Sequence, residues 1–288
     1  QIAANDRTDG IQIKPLTASI GASVHNVDLD NLSDDEFSVI RQALFDRCML
    51  TFPEQNIDDA GLLSFSKLWG EVMVTPMLTD MDGAPGVLEI QNRGKALTPT
   101  EYWHPDSAYL ERPPMISILA AQQLPDAGGD TMFCNQYLAY DALSDGMKKT
   151  LADVKTWCVG DKFRRSGKAR RKERYQGNLK MAAKVRDPGN LQTESAHPLF
   201  RTHPETGRMA LFLGGHAQTL HGFEEAEVEP LMSFLRAHSV RPEFTCRVNW
   251  EPGTLTLWDN RSVQHHAIAD YAERRRMHRI TIAGDTPV

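Results

Sequence analysis

Along the first quarter of the chain the apolar positions follow a helical rhythm. Phe37, Ile40, Leu44 and Phe45 recur at spacings that line one helix face, and they lie behind Ser33 and Glu36, the two polar partners of a capping box. This predicts a helix over Ser33 to Cys48. The next apolar run, Met49 to Phe52, stops at Pro53 and predicts a strand. Asp58 or Asp59 then caps a second helix that ends near Gly70. Beyond that glycine the period shortens. Strand-like runs recur at Val87 to Ile90, Met115 to Ala121, Met209 to Leu213, Phe244 to Trp250, Thr254 to Trp258 and Met277 to Ile282. Two helical stretches interrupt them. Tyr137 to Leu151 is partly helical, and Glu224 to His238 carries a stripe of Val228, Leu231, Phe234 and Leu235 that is expected to pack into the core. A strand-rich second half with flanking helices predicts a mainly β fold, a barrel or jelly roll.

No domain boundary is visible, so residues 1–288 are expected to form a single domain. Its 41% hydrophobic content is enough for one large core. The stretch at about 161–190 holds many Arg and Lys and few apolar residues, which predicts a mobile insertion, and such an insertion can act as an active-site lid. The formal net charge of −6 argues against nucleic-acid partners, and the local basic run from Lys162 to Arg174 is expected to be a solvated loop. No apolar run is long enough to span a membrane, and Gln1 to Gly10 lack the apolar stretch of a signal peptide. Cys48, Cys134, Cys158 and Cys246 lie far apart with no Cys-x-x-Cys pair. A soluble, cytoplasmic protein is expected.

Candidate chemistry concentrates in two places. In Trp103-His104-Pro105-Asp106-Ser107, a His and an Asp two apart in an extended segment point to the same side of the chain. With a distant second histidine they would form a facial triad of two His and one carboxylate, the usual arrangement for iron(II) oxygenases, which leaves coordination positions open for a keto acid and O2. His265 lies beyond the strand-like Thr254 to Trp258 and the turn Asp259-Asn260-Arg261, where the third ligand should fall. His266 is its nearest rival, and strand alternation turns the two in opposite directions, so only one can serve. The other place is Arg274-Arg275-Arg276-Met277-His278-Arg279, opening the last strand-like run. Arg275 and Arg279 share strand parity, and arginine suits the far carboxylate of a bound keto acid. The bland alternative is a basic edge strand that discourages aggregation.

These residues resemble the taurine dioxygenase and aryloxyalkanoate dioxygenase group of 2-oxoglutarate-dependent oxygenases. The similarity runs through Ile20-Gly21-Ala22, Val27-Asp28-Leu29, Trp103-His104-Pro105-Asp106 and Gly128-Gly129-Asp130-Thr131. It continues through Thr202-His203-Pro204-Glu205-Thr206-Gly207-Arg208, Trp258-Asp259-Asn260-Arg261 and Gly284-Asp285. The resemblance implies a double-stranded β-helix, the cupin-like jelly roll, with His104, Asp106 and His265 holding Fe(II). It implies that Thr131 and Arg275 hold 2-oxoglutarate and that Arg279 binds a substrate anion. Counting forward from His265 gives Arg276 for the co-substrate arginine, whereas counting back from Arg279 gives Arg275; parity favours Arg275. Thr75-Pro76-Met77-Leu78 is more apolar than the matching stretch of the taurine enzyme, so Met77, Leu78 and Tyr102 become candidates for an apolar substrate pocket. In Gly214-Gly215-His216, similar to the aryloxyalkanoate members, His216 is a candidate for a substrate carboxylate, with a surface turn histidine as the alternative.

The implied activity is hydroxylation of a small anionic substrate with release of succinate and CO2. Hydroxylation beside an ether oxygen or a sulfonate would appear as bond cleavage. Alternatives are hydroxylation or desaturation of an amino acid or natural-product intermediate, and a jelly-roll protein that binds a metal or anion without turnover. The partners expected are a small-molecule anion and further copies of the chain in a homo-oligomer, with neither nucleic acid nor membrane.

Overall fold

A computed structural model describes residues 7–8, 10–74, 78–93, 102–160 and 193–288. Met77 and the insertion at 161–190 lie outside the described residues. In chain order the strands are β1 (Arg7–Thr8), β2 (Ile11–Pro15), β3 (Ala22–His25), β4 (Met49–Phe52), β5 (Leu88–Arg93), β6 (Ile116–Gln123), β7 (Thr131–Asn135) and β8 (Lys155–Val159). They continue with β9 (Glu194–Pro198), β10 (Phe200–Thr202), β11 (Met209–Leu211), β12 (Ala217–Leu220), β13 (Thr245–Val248), β14 (Leu255–Asp259), β15 (Val263–Ala267) and β16 (Arg274–Ile282). The helices are α1 (Asp34–Arg47), α2 (Asp59–Trp69), α3 (Gln136–Asp141), α4 (Asp145–Leu151) and α5 (Glu225–Ser239).

A large sheet runs β1-β2-β3-β4-β14-β6-β16-β5, and a small sheet runs β13-β7-β15. The large sheet is covered on both faces, which is why its central strands are almost continuously buried. Its outer face sends Leu50, Phe52, Ile118, Leu255, Leu257, Ile280 and Ile282 against Ile40 and Leu44 of α1 and Phe65 and Trp69 of α2. Its inner face sends Met49, Leu119, Trp258 and Met277 against Phe133, Cys246, Val248 and Val263 of the small sheet. Two sheets closed over one such layer form the double-stranded β-helix that the sequence led us to expect.

The caps follow the sequence closely. Ser33 caps α1 and Glu36 returns the bond, and Asp58 caps α2 through Gly61 N. Cys48 ends α1 in the left-handed conformation, which turns the chain sharply into β4. A buried ionic cluster holds the β14–β15 turn. Asp259 Oδ1 accepts from Arg261 Nε at 2.9 Å and Oδ2 from Arg261 Nη2 at 2.7 Å, and His203 Nε2 lies 3.0 Å from the same Oδ2. Arg261 also reaches Glu205 at 3.1 Å. The Thr202–Arg208 motif is therefore the brace for the Trp258–Arg261 turn.

Candidate active site

The β14–β15 turn carries the chain from the large sheet into the small one, and β15 pairs with β7 so that His265 lies opposite Phe133. His265 then meets His104 across a two-bond backbone bridge, with His104 N–H donating to His265 O at 3.1 Å and His265 N–H donating to His104 O at 3.0 Å. This bridge brings the two imidazoles to a centroid distance of 4.3 Å. The expected extended geometry holds at His104 only. After Pro105 the chain turns, with Ser107 at φ 43°, and Asp106 is aimed inward by the turn. Asp106 Oδ1 lies 3.9 Å from His104 Nε2 and 3.9 Å from His265 Nε2. One donor atom from each of the three buried residues falls within 4.8 Å of the others. His266 faces the opposite way, with its ring 5.5 Å from that of Trp103, so β-strand alternation decides between the two histidines.

On β16, Arg275, Met277 and Arg279 share the inner face, while His278 points outward to Asp59 at 2.5 Å. Arg275 is 4% exposed and Arg279 9%. The Arg276 side chain is 37% exposed and lies 4.0 Å from Glu89. The irregular register beside Arg276 belongs to β6, which steps from Gln123 to Ala121, so parity along β16 is undisturbed. Arg275, and not Arg276, therefore shares the inner face with Arg279. β16 lies between β6 and β5 and is not an edge strand, which overturns the aggregation-guard alternative.

A family model described as "Taurine catabolism dioxygenase TauD, TfdA family" matches residues 12–281. The chain belongs to this family. Among its relatives is the alpha-ketoglutarate-dependent sulfate ester dioxygenase of Pseudomonas putida, 32% identical over 96% of this chain and 91% of the relative. Another is the (S)-phenoxypropionate/alpha-ketoglutarate-dioxygenase of Sphingobium herbicidovorans, 31% identical over 95% of both chains. Among solved structures, a taurine dioxygenase from Burkholderia xenovorans superposes with a TM-score of 0.81 at 33% identity, covering 97% of this chain and 91% of that one. Membership makes the chain an oxidoreductase that depends on iron(II), 2-oxoglutarate (alpha-ketoglutarate) and O2.

The residues fit a ferrous ion. Burial holds His104 and His265 below the usual imidazole range, His265 at about 3, so both are neutral donors at neutral pH. Tyr102 O can only accept, so His104 Nδ1 donates to it at 2.7 Å and the Nε2 lone pair faces Asp106. Burial alone would raise the Asp106 carboxyl, but the charge of Arg279 above all, with the Ser117 hydroxyl, outweighs it and holds the group well below the ordinary carboxylate range.

Three residues outside the expected set complete this arrangement. Ser117 donates to Asp106 Oδ2 at 2.6 Å, Asn260 Nδ2 donates to Ser117 Oγ at 2.8 Å, and Asn260 Oδ1 accepts from Asp106 N and Trp258 Nε1, both at 3.0 Å. Ser117 engages one carboxylate oxygen and leaves Oδ1 facing the histidines. We expect Ser117→Ala to weaken iron(II) binding by roughly 10- to 100-fold in an anaerobic titration, without loss of the fold by circular dichroism.

The remaining candidates divide. His216 sits beside the triad, its ring 6.1 Å from His104, 6.0 Å from Tyr102 and 5.1 Å from Tyr109. Tyr102 packs 4.8 Å from His104. A Cβ on Gly215 would come within 2.1 Å of the Tyr102 ring, so this glycine permits the close approach. Leu78 is half-buried, and Met77 lies outside the described residues. Thr131 lies on β7, buried, and accepts a bond from Trp250 Nε1 at 3.1 Å.

Proposed function

We propose that this dioxygenase oxidises a C–H bond of a small organic anion, with a sulfate ester as the favoured class, at an iron(II) held by His104, Asp106 and His265. The observation that carries the reading is the surplus of buried cations. Two inward guanidiniums, Arg275 and Arg279, share the inner face of β16, and the one carboxylate in contact with either, among the described residues, is Asp106, 3.1 Å from Arg279. Arg275 Nε and Nη2 and Arg279 Nε have no hydrogen-bond partner. Arg275 has no carboxylate in contact, and Arg279 shares Asp106 with the metal that this carboxylate would bind, so two organic anions are the economical complement of the buried charge. A dicarboxylate co-substrate supplies one and the substrate the other.

Iron(II) with 2-oxoglutarate and O2, when bound, supplies the oxidising power that turns 2-oxoglutarate into succinate and CO2 and places a hydroxyl on the substrate. The residues of the chain provide position and charge. Arg275, with Thr131, holds the distal carboxylate and thereby fixes the keto acid against the metal face. Arg279 anchors the substrate anion beside Asp106, which places the carbon next to that anion at the reacting centre. The rings of Tyr102, Tyr109 and His216 wall the site near His104 and keep water from it. Those same rings favour an aryloxyalkanoate as the second reading, since a flat aromatic group packs well against them. The relatives do not favour the amino-acid or natural-product alternative, and their activity removes the non-catalytic binder.

The reading takes the whole chain as one oxygenase domain, supported by a family match that reaches from residue 12 to residue 281. A cytoplasmic location is supported by four buried cysteines that are free thiols. Among the described residues no helix is long and apolar enough to cross a membrane.

The test is a panel of alkyl sulfate esters, aryloxypropionates, sulfonates and amino acids, read by succinate release with iron(II) and 2-oxoglutarate. Sulfate esters should give aldehyde and sulfate in equal amounts with succinate. Exclusive turnover of amino acids would overturn the substrate class. Arg279→Leu should raise KM for the anionic substrate roughly 10- to 100-fold while leaving KM for 2-oxoglutarate within twofold. A change confined to 2-oxoglutarate would reverse the two arginine roles.

A further inference from the structure

One indole touches both groups assigned to the co-substrate. Trp250 is buried, its Nε1 donates to Thr131 Oγ1 at 3.1 Å, and the Arg275 guanidinium carbon lies 5.6 Å from the centre of its ring. An indole N–H can only donate, so it must fill a lone pair of the threonine oxygen and cannot take the hydroxyl proton. The structure shows no other partner for that hydroxyl among the described residues, so its proton is directed to an acceptor outside this set. A carboxylate oxygen accepts only, and it matches a donor fixed in this way.

Arg275 is held with equal care. Its guanidinium is within the range of a cation–π contact with Trp250, yet Nε and Nη2 remain without partners. Burial lowers its affinity for a proton, and Tyr271 and Asp130 offset this only in part. The carboxylate of Asp130 is already engaged by Arg247 at 2.5 Å and Asn249 at 3.0 Å. Gly129 leaves room for the arginine, since a Cβ there would stand 3.0 Å from Arg275 Cδ.

We propose that Trp250 is the positioning residue of the 2-oxoglutarate pocket. Its N–H sets the polarity of the Thr131 hydroxyl so that this group donates to the distal carboxylate, and its ring face steadies the Arg275 guanidinium. The proposal rests on the assignment of Thr131 and Arg275 to the co-substrate.

Trp250→Phe keeps a ring and removes the donor. Anaerobic calorimetric titration of 2-oxoglutarate into the iron(II)-loaded enzyme should show Kd raised roughly tenfold, the size expected for one hydrogen bond to a charged site. KM for 2-oxoglutarate should rise equally and KM for the organic anion should stay within twofold. Thr131→Val should give a similar loss, Thr131→Ser should restore parental binding, and the double variant Trp250→Phe, Thr131→Val should be no worse than Thr131→Val alone. Replacing Trp250 by β-(3-benzothienyl)alanine preserves the bicyclic shape, so it gives the same answer even if phenylalanine unsettles the core. Parental Kd in both Trp250 variants, with Kd weakened in Thr131→Val and Arg275→Leu, would overturn the positioning role and leave the pocket assignment standing. Parental Kd in Thr131→Val and Arg275→Leu as well would overturn the assignment and the proposal together.

Discussion

His104→Ala is expected to abolish turnover of every substrate and to remove iron(II) binding in the low micromolar range. The three donors converge with no fourth histidine, cysteine or acid in their cluster among the described residues, so no neighbour can substitute. The loss should be uniform: the same for sulfate esters, sulfonates and aryloxypropionates, and accompanied by loss of uncoupled 2-oxoglutarate decarboxylation. Succinate release measured without any organic anion gives that control. Retained iron binding in His104→Ala, or loss of activity on one substrate class alone, would remove His104 from the metal centre.

Arg275→Leu is expected to have the next largest effect. It deletes the buried cation whose Nε and Nη2 have no internal partner, and the leucine fills much of the space the arginine stem occupied. A bidentate bond between guanidinium and carboxylate is among the stronger polar contacts, so KM for 2-oxoglutarate should rise on the order of 100-fold or more. Stability should not fall, because an unpaired buried charge costs the apoprotein energy that leucine does not. Thermal denaturation without ligand checks this directly: an unchanged or raised Tm is expected. Adding 2-oxoglutarate to the iron-loaded proteins, at a concentration that saturates the parent, should stabilise the parent further and leave the variant nearly unmoved. Variant and parent responding alike would place the distal carboxylate elsewhere.

The helical layer was readable from sequence because its signals are local. The box between Ser33 and Glu36 and the cap at Asp58 sit next to the elements they start. The buried large-sheet strands β4, β6, β14 and β16 were equally plain as apolar runs. In the small sheet β13 was read as part of the run Phe244 to Trp250, while β7 and β15 escaped for a physical reason. β15 reads Val-Gln-His-His-Ala and β7 reads Thr-Met-Phe-Cys-Asn, so the strands that present His265 and Thr131 carry polar residues where a core strand would carry apolar ones. Their function erased the pattern that would have revealed them.

The site divides in the same way. His104 and Asp106 were visible as a pair, and His265 and Arg279 followed from strand parity and from resemblance. Ser117 and Trp250 were not visible, and Asn260 stood in the Trp258–Arg261 motif with no role assigned to it. Ser117 looks like one polar residue in an apolar strand, and nothing in sequence says that it faces Asp106 from across the barrel. Trp250 had been read as the end of a strand, whereas β13 stops at Val248 and the indole turns back toward Thr131. Such partners become evident only when remote segments are brought within hydrogen-bond distance.

Crystals loaded anaerobically with iron(II) and examined at the metal's absorption edge test the central claim most directly. One anomalous peak should lie at coordination distance from the Nε2 atoms of His104 and His265 and from Oδ1 of Asp106, with Ser117 still bonded to Oδ2. A peak bound by other residues, or no ordered iron among these three at saturating metal, would contradict the account.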